Sequence, residues 1–315
     1  MTDVIRKKHG SLIWGKVLFQ AIVLVLVAWG IWRALNNARD EFSQAGMELF
    51  QLRYEWLVLA GFCYAIGLFP ACLFWKRTLE AMGQSPKWAE TITAYWLGHL
   101  GKYVPGKALV VVIRTALIKS SRVDATIAAT SVFVETLTMM AVGAAIAATV
   151  LAFQSQQPAL IGLALALALC AGVPTWPPLF RSLVRWLQVH RANPLIEQAV
   201  AGLDARLMAS GWLTMITGWL FIGLSLWATL NALPVPENPL SNLPLIVATI
   251  ALASVAGFLS LLPAGIGVRE LVLTTLLEPF YGPVIALVSA ALVRLVWLVF
   301  ELVFAAVLYA RIKLR

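Results

Sequence analysis

The chain has 315 residues, 61% hydrophobic and only 12% charged, with a mean hydropathy of +0.84. A soluble domain carries about 25% charged residues, so a water-soluble fold is excluded and the chain reads as an all-α polytopic membrane protein. Its net charge of +9 is expected to anchor cytoplasmic loops, and no nucleic-acid partner is implied.

In chain order, Arg6, Lys7 and Lys8 precede an apolar run over 12–35. The run is longer than a signal-peptide core and no small-residue cleavage site follows, so it is expected to remain as the first span. Further spans are expected over 56–75, 125–152, 158–175, 212–231 and 284–311, each near the roughly 20 residues a crossing helix needs. Two other apolar regions, 91–118 and 243–278, are interrupted. The first breaks at Gly101-Lys102-Tyr103-Val104-Pro105-Gly106-Lys107 and the second at Leu262-Pro263-Ala264-Gly265-Ile266-Gly267-Val268-Arg269-Glu270. Arms such as 91–104 and 108–118 are too short to cross alone. Each region is therefore expected to form a re-entrant helical hairpin, with a single Pro-kinked span as the alternative. Between them, 176–211 is the only sizeable polar stretch and is expected to be a cytoplasmic interfacial loop with a short amphipathic helix around Phe180–Trp186.

Charge counting supports this layout. With the N-terminus inside and both regions re-entrant, the inner segments hold fifteen Lys and Arg, whereas the outer ones hold Arg33, Arg39 and Arg53. That bias orients the chain with both termini cytoplasmic, and the plasma membrane is the expected location. The prolines 105 and 263 are 158 residues apart, and the same shift carries 56–75 to 214–233 and 125–152 to 283–310. The chain is thus expected to be one membrane domain, 1–315, of two inverted repeats, 12–152 and 158–311. It would have about six spans and two hairpins. Trp14, Trp29, Trp32, Trp56, Trp75 and Trp212 are expected in the interfacial belt. Cys63, Cys72 and Cys170 are expected as small core residues.

Eight ionisable residues fall at membrane depth: Lys102, Lys107, Arg114, Arg269 and Arg294 against Glu135, Glu270 and Glu301. Each costs about 2.5–3.5 kcal/mol at a helix centre on insertion scales, so they call for a shared polar interior. The positive surplus suits an anion, with phosphate the obvious membrane candidate. A helix starting after Pro105 would present the free N–H groups of Gly106 and Lys107 to it. After Pro263, Gly265 and Gly267 would let backbone approach a ligand closely, and Arg269 would bind phosphate bidentately. The bland alternatives are tight turns, an Arg269–Glu pair and a Glu135–Arg294 packing pair. Glu135, Glu270 or Glu301 could also relay protons. His99 reads as a hydrogen-bonded packing residue. No metal-ligand spacing, nucleotide motif or nucleophile elbow is present, so no metal, cofactor or catalytic residue is expected.

At these two motifs, with Arg114, Glu135 and Arg294, the chain resembles the transmembrane region of lysylphosphatidylglycerol synthases, the flippase-like membrane domain family, over about 15–310. The family often has Glu-Arg at the first in-span acid, whereas Glu135 is followed by Thr136. The soluble aminoacyl-transferase domain of its two-domain members has no counterpart in these residues, so lysyl transfer is not implied. The resemblance implies movement of polar lipids between leaflets. The expected function is translocation of a phosphate-bearing lipid, with Lys102, Lys107, Arg114 and Arg269 on the head and Glu135, Glu270, Arg294 and Glu301 balancing charge. A membrane-embedded enzyme on lipid phosphates or glycolipids and an ion-coupled small-anion transporter are the alternatives. Membrane lipids are the expected partners, with self-association and lipid-biosynthetic enzymes left open.

Overall fold

The structure, a computed structural model, describes residues 52–103, 108–154, 158–191, 193–235, 239–260, 265 and 267–313, with Trp29, Trp32 and Asn36. Among these the chain is helical, and its one β contact is an isolated bridge between Ser120 and Val123. Helices satisfy their own backbone polar groups, which lipid cannot do. The described helices are α1 (Tyr54–Ala81), α2 (Trp88–His99), α3 (Ala108–Ile118), α4 (Ala125–Gln154) and α5 (Pro158–Gly172). They continue as α6 (Pro177–Trp186), α7 (Ile196–Ala201), α8 (Ala205–Asn231), α9 (Leu243–Leu259) and α10 (Val268–Lys313). Carboxylates start two of the long ones. Asp124 accepts from the N–H groups of Thr126 (2.8 Å) and Ile127 (3.1 Å) at α4, and Asp204 accepts from that of Leu207 (2.7 Å) at α8.

Six stretches are long and apolar enough to cross a membrane: Tyr54–Ala81, Ala125–Phe153, Pro158–Thr175, Ala205–Asn231, Pro239–Leu259 and Val268–Arg311. Five of them contain or closely match the spans expected from sequence at 56–75, 125–152, 158–175, 212–231 and 284–311. The expected span 12–35 lies outside the described residues apart from Trp29 and Trp32.

The centre of the bundle is the antiparallel pair α1 and α8. A Cβ on Gly67 would meet the Gly218 carbonyl at 3.0 Å, and one on Gly218 would meet the Gly67 carbonyl at 2.8 Å. Further along, Gly211 faces Phe74 and Gly202 faces Ala81. Glycine here lets backbones touch, the usual means of helix association where lipid provides no hydrophobic drive.

Both interrupted regions fold as side-by-side helices. In the first, α2 lies on α3: a Cβ on Gly98 would sit 2.4 Å from Arg114 Cγ and one on Gly101 2.7 Å from the Val110 nitrogen. In the second, Gly257 of α9 lies against Gly265, which has φ +71°. Residues 104–107, 261–264 and 266, which include Pro105, Gly106, Lys107 and Pro263, lie outside the described residues.

The 46-residue helix α10 is two legs. Gly282 is non-helical at φ 78° and ψ 164°, flanked by Pro279 and Pro283. Glu270 and Arg294 touch across this point, whereas a straight helix would hold them about 36 Å apart. The chain therefore turns back at Gly282, and 268–281 packs beside the start of 283–313. Shifting α2, α3 and α4 by 158 positions gives 246–257, 266–276 and 283–312, close to α9 and these two legs. Length separates the two regions, however. The 11 residues of α3 reach only about 16 Å, but α9 with its preceding turn is a largely apolar stretch of 21 residues with the length to cross.

In the loop 176–211, α6 buries Phe180 and Val184 and exposes Trp176 and Trp186. Arg181 holds the carbonyls of Val200, Ala201 and Leu203 at 2.8–3.3 Å. Two expectations fail on burial. Trp75 is fully buried and donates from its indole N–H to Ser131 (2.9 Å), so it belongs to the core and not to an interfacial belt. Cys170 is exposed on α5, a peripheral helix with few buried residues, whereas Cys63 and Cys72 are buried.

Candidate functional site

The charged residues expected at membrane depth converge, but not as sequence suggested. Arg114 on α3 donates from Nη1 to Glu135 on α4 at 2.7 Å, and both are almost wholly buried. Tyr95 adds a hydroxyl to Glu135 at 3.3 Å and places its ring 3.9 Å from the Arg114 guanidinium. Thr136, at the position where the family often has Arg, donates to the same carboxylate at 3.2 Å. Arg294 on the second leg of α10 pairs with Glu270 on the first. The Glu135–Arg294 pair weighed from sequence is therefore not formed. Each residue finds its partner on the shorter helix just before its own span, because the chain folds back there.

The third pair joins the two halves. Lys102, on the 3-10 turn Leu100–Tyr103, pairs with Glu301 on the second leg of α10. Glu301 is wholly buried and also accepts from the Tyr64 hydroxyl of α1. His99 Nε2 lies 3.1 Å from that hydroxyl and 3.6 Å from the carboxylate, so His99 is a hydrogen-bonded packing residue here. Tyr64 in turn stacks on Trp297, with ring centroids 4.2 Å apart.

Three acids thus neutralise three cations, and Arg269 is left over. It stands at the second position of α10, is 8% exposed, and has no carboxylate within ion-pair distance among the described residues. The Arg269–Glu pair weighed from sequence is absent, because the adjacent Glu270 is taken by Arg294 and by the N–H of Gly267 (2.7 Å). Gly267 makes that turn at φ +85°, which glycine adopts without steric cost. The Arg269 guanidinium lies 4.2 Å from the Trp297 ring, and its Nε and Nη2 are buried with no hydrogen-bond partner among the described residues. Burying such donors unmade is costly.

These groups border a cavity of about 450 Å³, within the range of small-molecule sites. Lys102, Arg114, Glu135 and Arg269 form its charged side. Val111, Phe133, Met139 and Phe258 are among its apolar walls. Ala108 on α3 and Phe133 on α4 line the cavity and are both exposed. The cavity draws on both hairpins and on α1, α4 and α8. No group of three or more metal-ligating side chains occurs among the described residues.

Sequence reasoning missed Tyr64, Tyr95, Trp297 and Ser254. The aromatic residues looked like ordinary apolar packing, and only their contact with the buried charges distinguishes them. Ser254 lies within an unbroken apolar run and gave no periodic signal.

Fold and site together define a polytopic helical membrane protein with a charged interior. A profile of the lysylphosphatidylglycerol synthase TM region matches residues 18–305, and the chain belongs to that family. It is accordingly a membrane domain of a family tied to lipid handling. No curated protein matches the chain.

Proposed function

We propose that this protein is a flippase-like translocator that moves a phosphate-bearing lipid between leaflets, and not an enzyme. The observation that carries the reading is Arg269: a buried guanidinium with unmade hydrogen bonds among the described residues, on the wall of a largely apolar cavity. A guanidinium fork matches a phosphate in charge and geometry. The exposed lining residues Ala108 and Phe133 give the tails a way to remain in lipid while the head is inside. Lys102 and Arg114 border the head region, but each already has a carboxylate, so they act as secondary contacts. Lys107, outside the described residues, is kept as a further contact to the head.

We read the two halves as inverted repeats with opposed re-entrant hairpins, the architecture that places substrate at the interface between repeats. The antiparallel α1–α8 pair and the 158-residue correspondence of element bounds support this reading. The charge bias of the loops supports cytoplasmic termini, and the plasma membrane is the setting proposed with them. The test is reconstitution into vesicles with a fluorescent anionic phospholipid. Wild-type protein should accelerate leaflet exchange, and Arg269→Gln should lower the rate at least tenfold. Exchange at the wild-type rate in that variant removes Arg269 from the path.

A further inference from the structure

Of the three acids at membrane depth, two have donors on both oxygens. Glu135 takes Tyr95 on Oε1, and Arg114 and Thr136 on Oε2. Glu270 takes Arg294 on Oε1 and the N–H of Gly267 on Oε2. Each is paired with arginine, which does not give up its proton in proteins. Glu301 differs on both counts. Its cation is Lys102, and an ammonium can give up a proton. Tyr64 and Lys102 both donate to Oε1, and Oε2 is buried with no hydrogen-bond partner among the described residues. Glu301 is wholly buried, and the three groups around its carboxylate, Tyr64, His99 and Lys102, stand on the cavity wall.

The same side chains hold this acid in either state. As a carboxylate it accepts from Tyr64 and Lys102, and Lys102 also donates to the Tyr64 oxygen at 3.1 Å. As a neutral acid its Oε1–H donates to the Tyr64 oxygen, and the Tyr64 hydroxyl turns to His99 Nε2, 3.1 Å away. Lys102 supplies the route: Nζ hands a proton to Oε1 and regains one from cavity water. One proton has then left the cavity, one carboxylate is neutral, and Lys102 stands on the wall as a cation without its acid. The described titratable and charged groups around Glu301 come from every neighbouring element. They are Tyr64 from α1, His99 from α2, Lys102 and Tyr103 from the turn, Arg269 from the first leg of α10 and Arg294 from its own leg. Helix α9 carries no charge, and the only one on α8, Arg206, lies about five turns from the Ser225 that holds Trp297. Glu301 is the one acid in this set.

We propose that Glu301 is a proton-binding site, and that a proton there and an anionic head in the cavity bind together. The proton adds one positive charge to a low-dielectric interior and the head adds negative charge, so each lowers the cost of the other. A fixed charge, such as that of Lys107 outside the described residues, leaves this difference unaltered. The coupling is mutual: acid tightens the head, and the head draws in the proton. This inference rests on the translocator reading for its head and gives that reading a driving force, a proton gradient.

The test uses the full chain in detergent micelles with dioctanoyl phosphatidylglycerol, whose diester phosphate lacks the second ionisation of a monoester at about pH 6. In weakly buffered solution, binding of this lipid should draw up to one proton per head, read by a pH indicator. Glu301→Gln should draw none. Wild-type affinity should rise as pH falls from 8 to 5, by up to tenfold per unit, and stay flat in Glu301→Gln. Infrared difference spectra between those pH values should show a buried carboxylic-acid band in the wild type that is missing from Glu301→Gln. Tyr64→Phe keeps the carboxyl group and removes its acceptor, so the band should persist there at a shifted frequency. A wild-type protein with no such band, or with the same affinity at both pH values, overturns the proposal. So does proton uptake that persists in Glu301→Gln, which would place the proton on another group such as His99. In vesicles with the membrane potential clamped, a gradient of one pH unit should move the leaflet ratio of a fluorescent anionic phospholipid up to tenfold in the wild type. Exchange that ignores the gradient sinks this inference alone, and proton uptake without leaflet exchange sinks translocation alone.

Discussion

The first interrupted region and the second are built alike and charged in opposite senses. In the first, the short helix α3 carries the base, Arg114, and the long helix α4 the acid, Glu135. In the second, the short leg carries the acid, Glu270, and the long leg the base, Arg294. The first region is electrostatically closed among the described residues, since Lys102 also has its carboxylate. The second holds one base too many, Arg269, beside an acid already taken. A buried pair is a fixture of packing, whereas a buried unpaired cation is a demand for a ligand. The two regions thus differ in balance: among the described residues the charges of one are paired, and the other has a base to spare.

The largest expected effect tests the paired side. Arg114→Leu leaves Glu135 buried and uncompensated and should cost about 3–5 kcal/mol. Adding Glu135→Leu should recover most of it, as followed by unfolding in micelles. If single and double variants are equally destabilised, the lock is not an ion pair. A second experiment probes the strut between the halves. Tyr64→Phe removes one donor from Glu301 and should cost about 1–3 kcal/mol, with a smaller effect in a Glu301→Gln background.

The third concerns the joints. The first region turns into its long helix through a loop capped by Asp124, and the second through Gly282. Burial alone would raise the Asp124 pKa. The N–H of Ile127, the Asn193 side chain, the N–H of Thr126 and the charge of Lys119 outweigh it and hold the group below the usual carboxylate range. Stability from this cap is therefore present above the unfolded pKa of about 3.9 and lost as pH falls through the lower folded value. Asp124→Ala should cost about 1 kcal/mol at pH 7, and the difference from wild type should close below about pH 3. An undiminished difference there would show that the cap acts through its shape and not its charge. The smallest effect on stability is expected on the side with the spare base. Arg269→Gln should cost no more than about 1 kcal/mol, the scale of its contact with Trp297, while lowering exchange most. A loss as large as that of Arg114→Leu would make Arg269 a second lock.

Much of the layout was legible because lipid enforces it. Unbroken apolar length marks α1, α4, α5 and α8, and Pro and Gly mark the two reversals. The ionisable residues were legible too, because each is costly in lipid. Their pairing was not. Periodicity places Glu135 and Arg294 at matching depths but says nothing of which neighbour folds back onto each, and a contact between residues 102 and 301 has no local signature. Trp75 and Trp56 look the same in sequence, yet one is buried against Ser131 and the other packs at 5.3 Å on Trp227. The surplus charge was legible in the residue count, but only the ion pairs single out Arg269 among the described residues.

The fold-back at Gly282 has a mechanical meaning. A glycine between two prolines is a loose joint, and alone it would let the two legs of α10 swing. The Glu270–Arg294 contact closes a triangle whose two sides are each 12 residues, about 18 Å long. That contact is a brace, fastened one residue from Arg269. Arg269 and the brace hang from the same turn of helix, so a pull on the guanidinium would load the angle of the elbow.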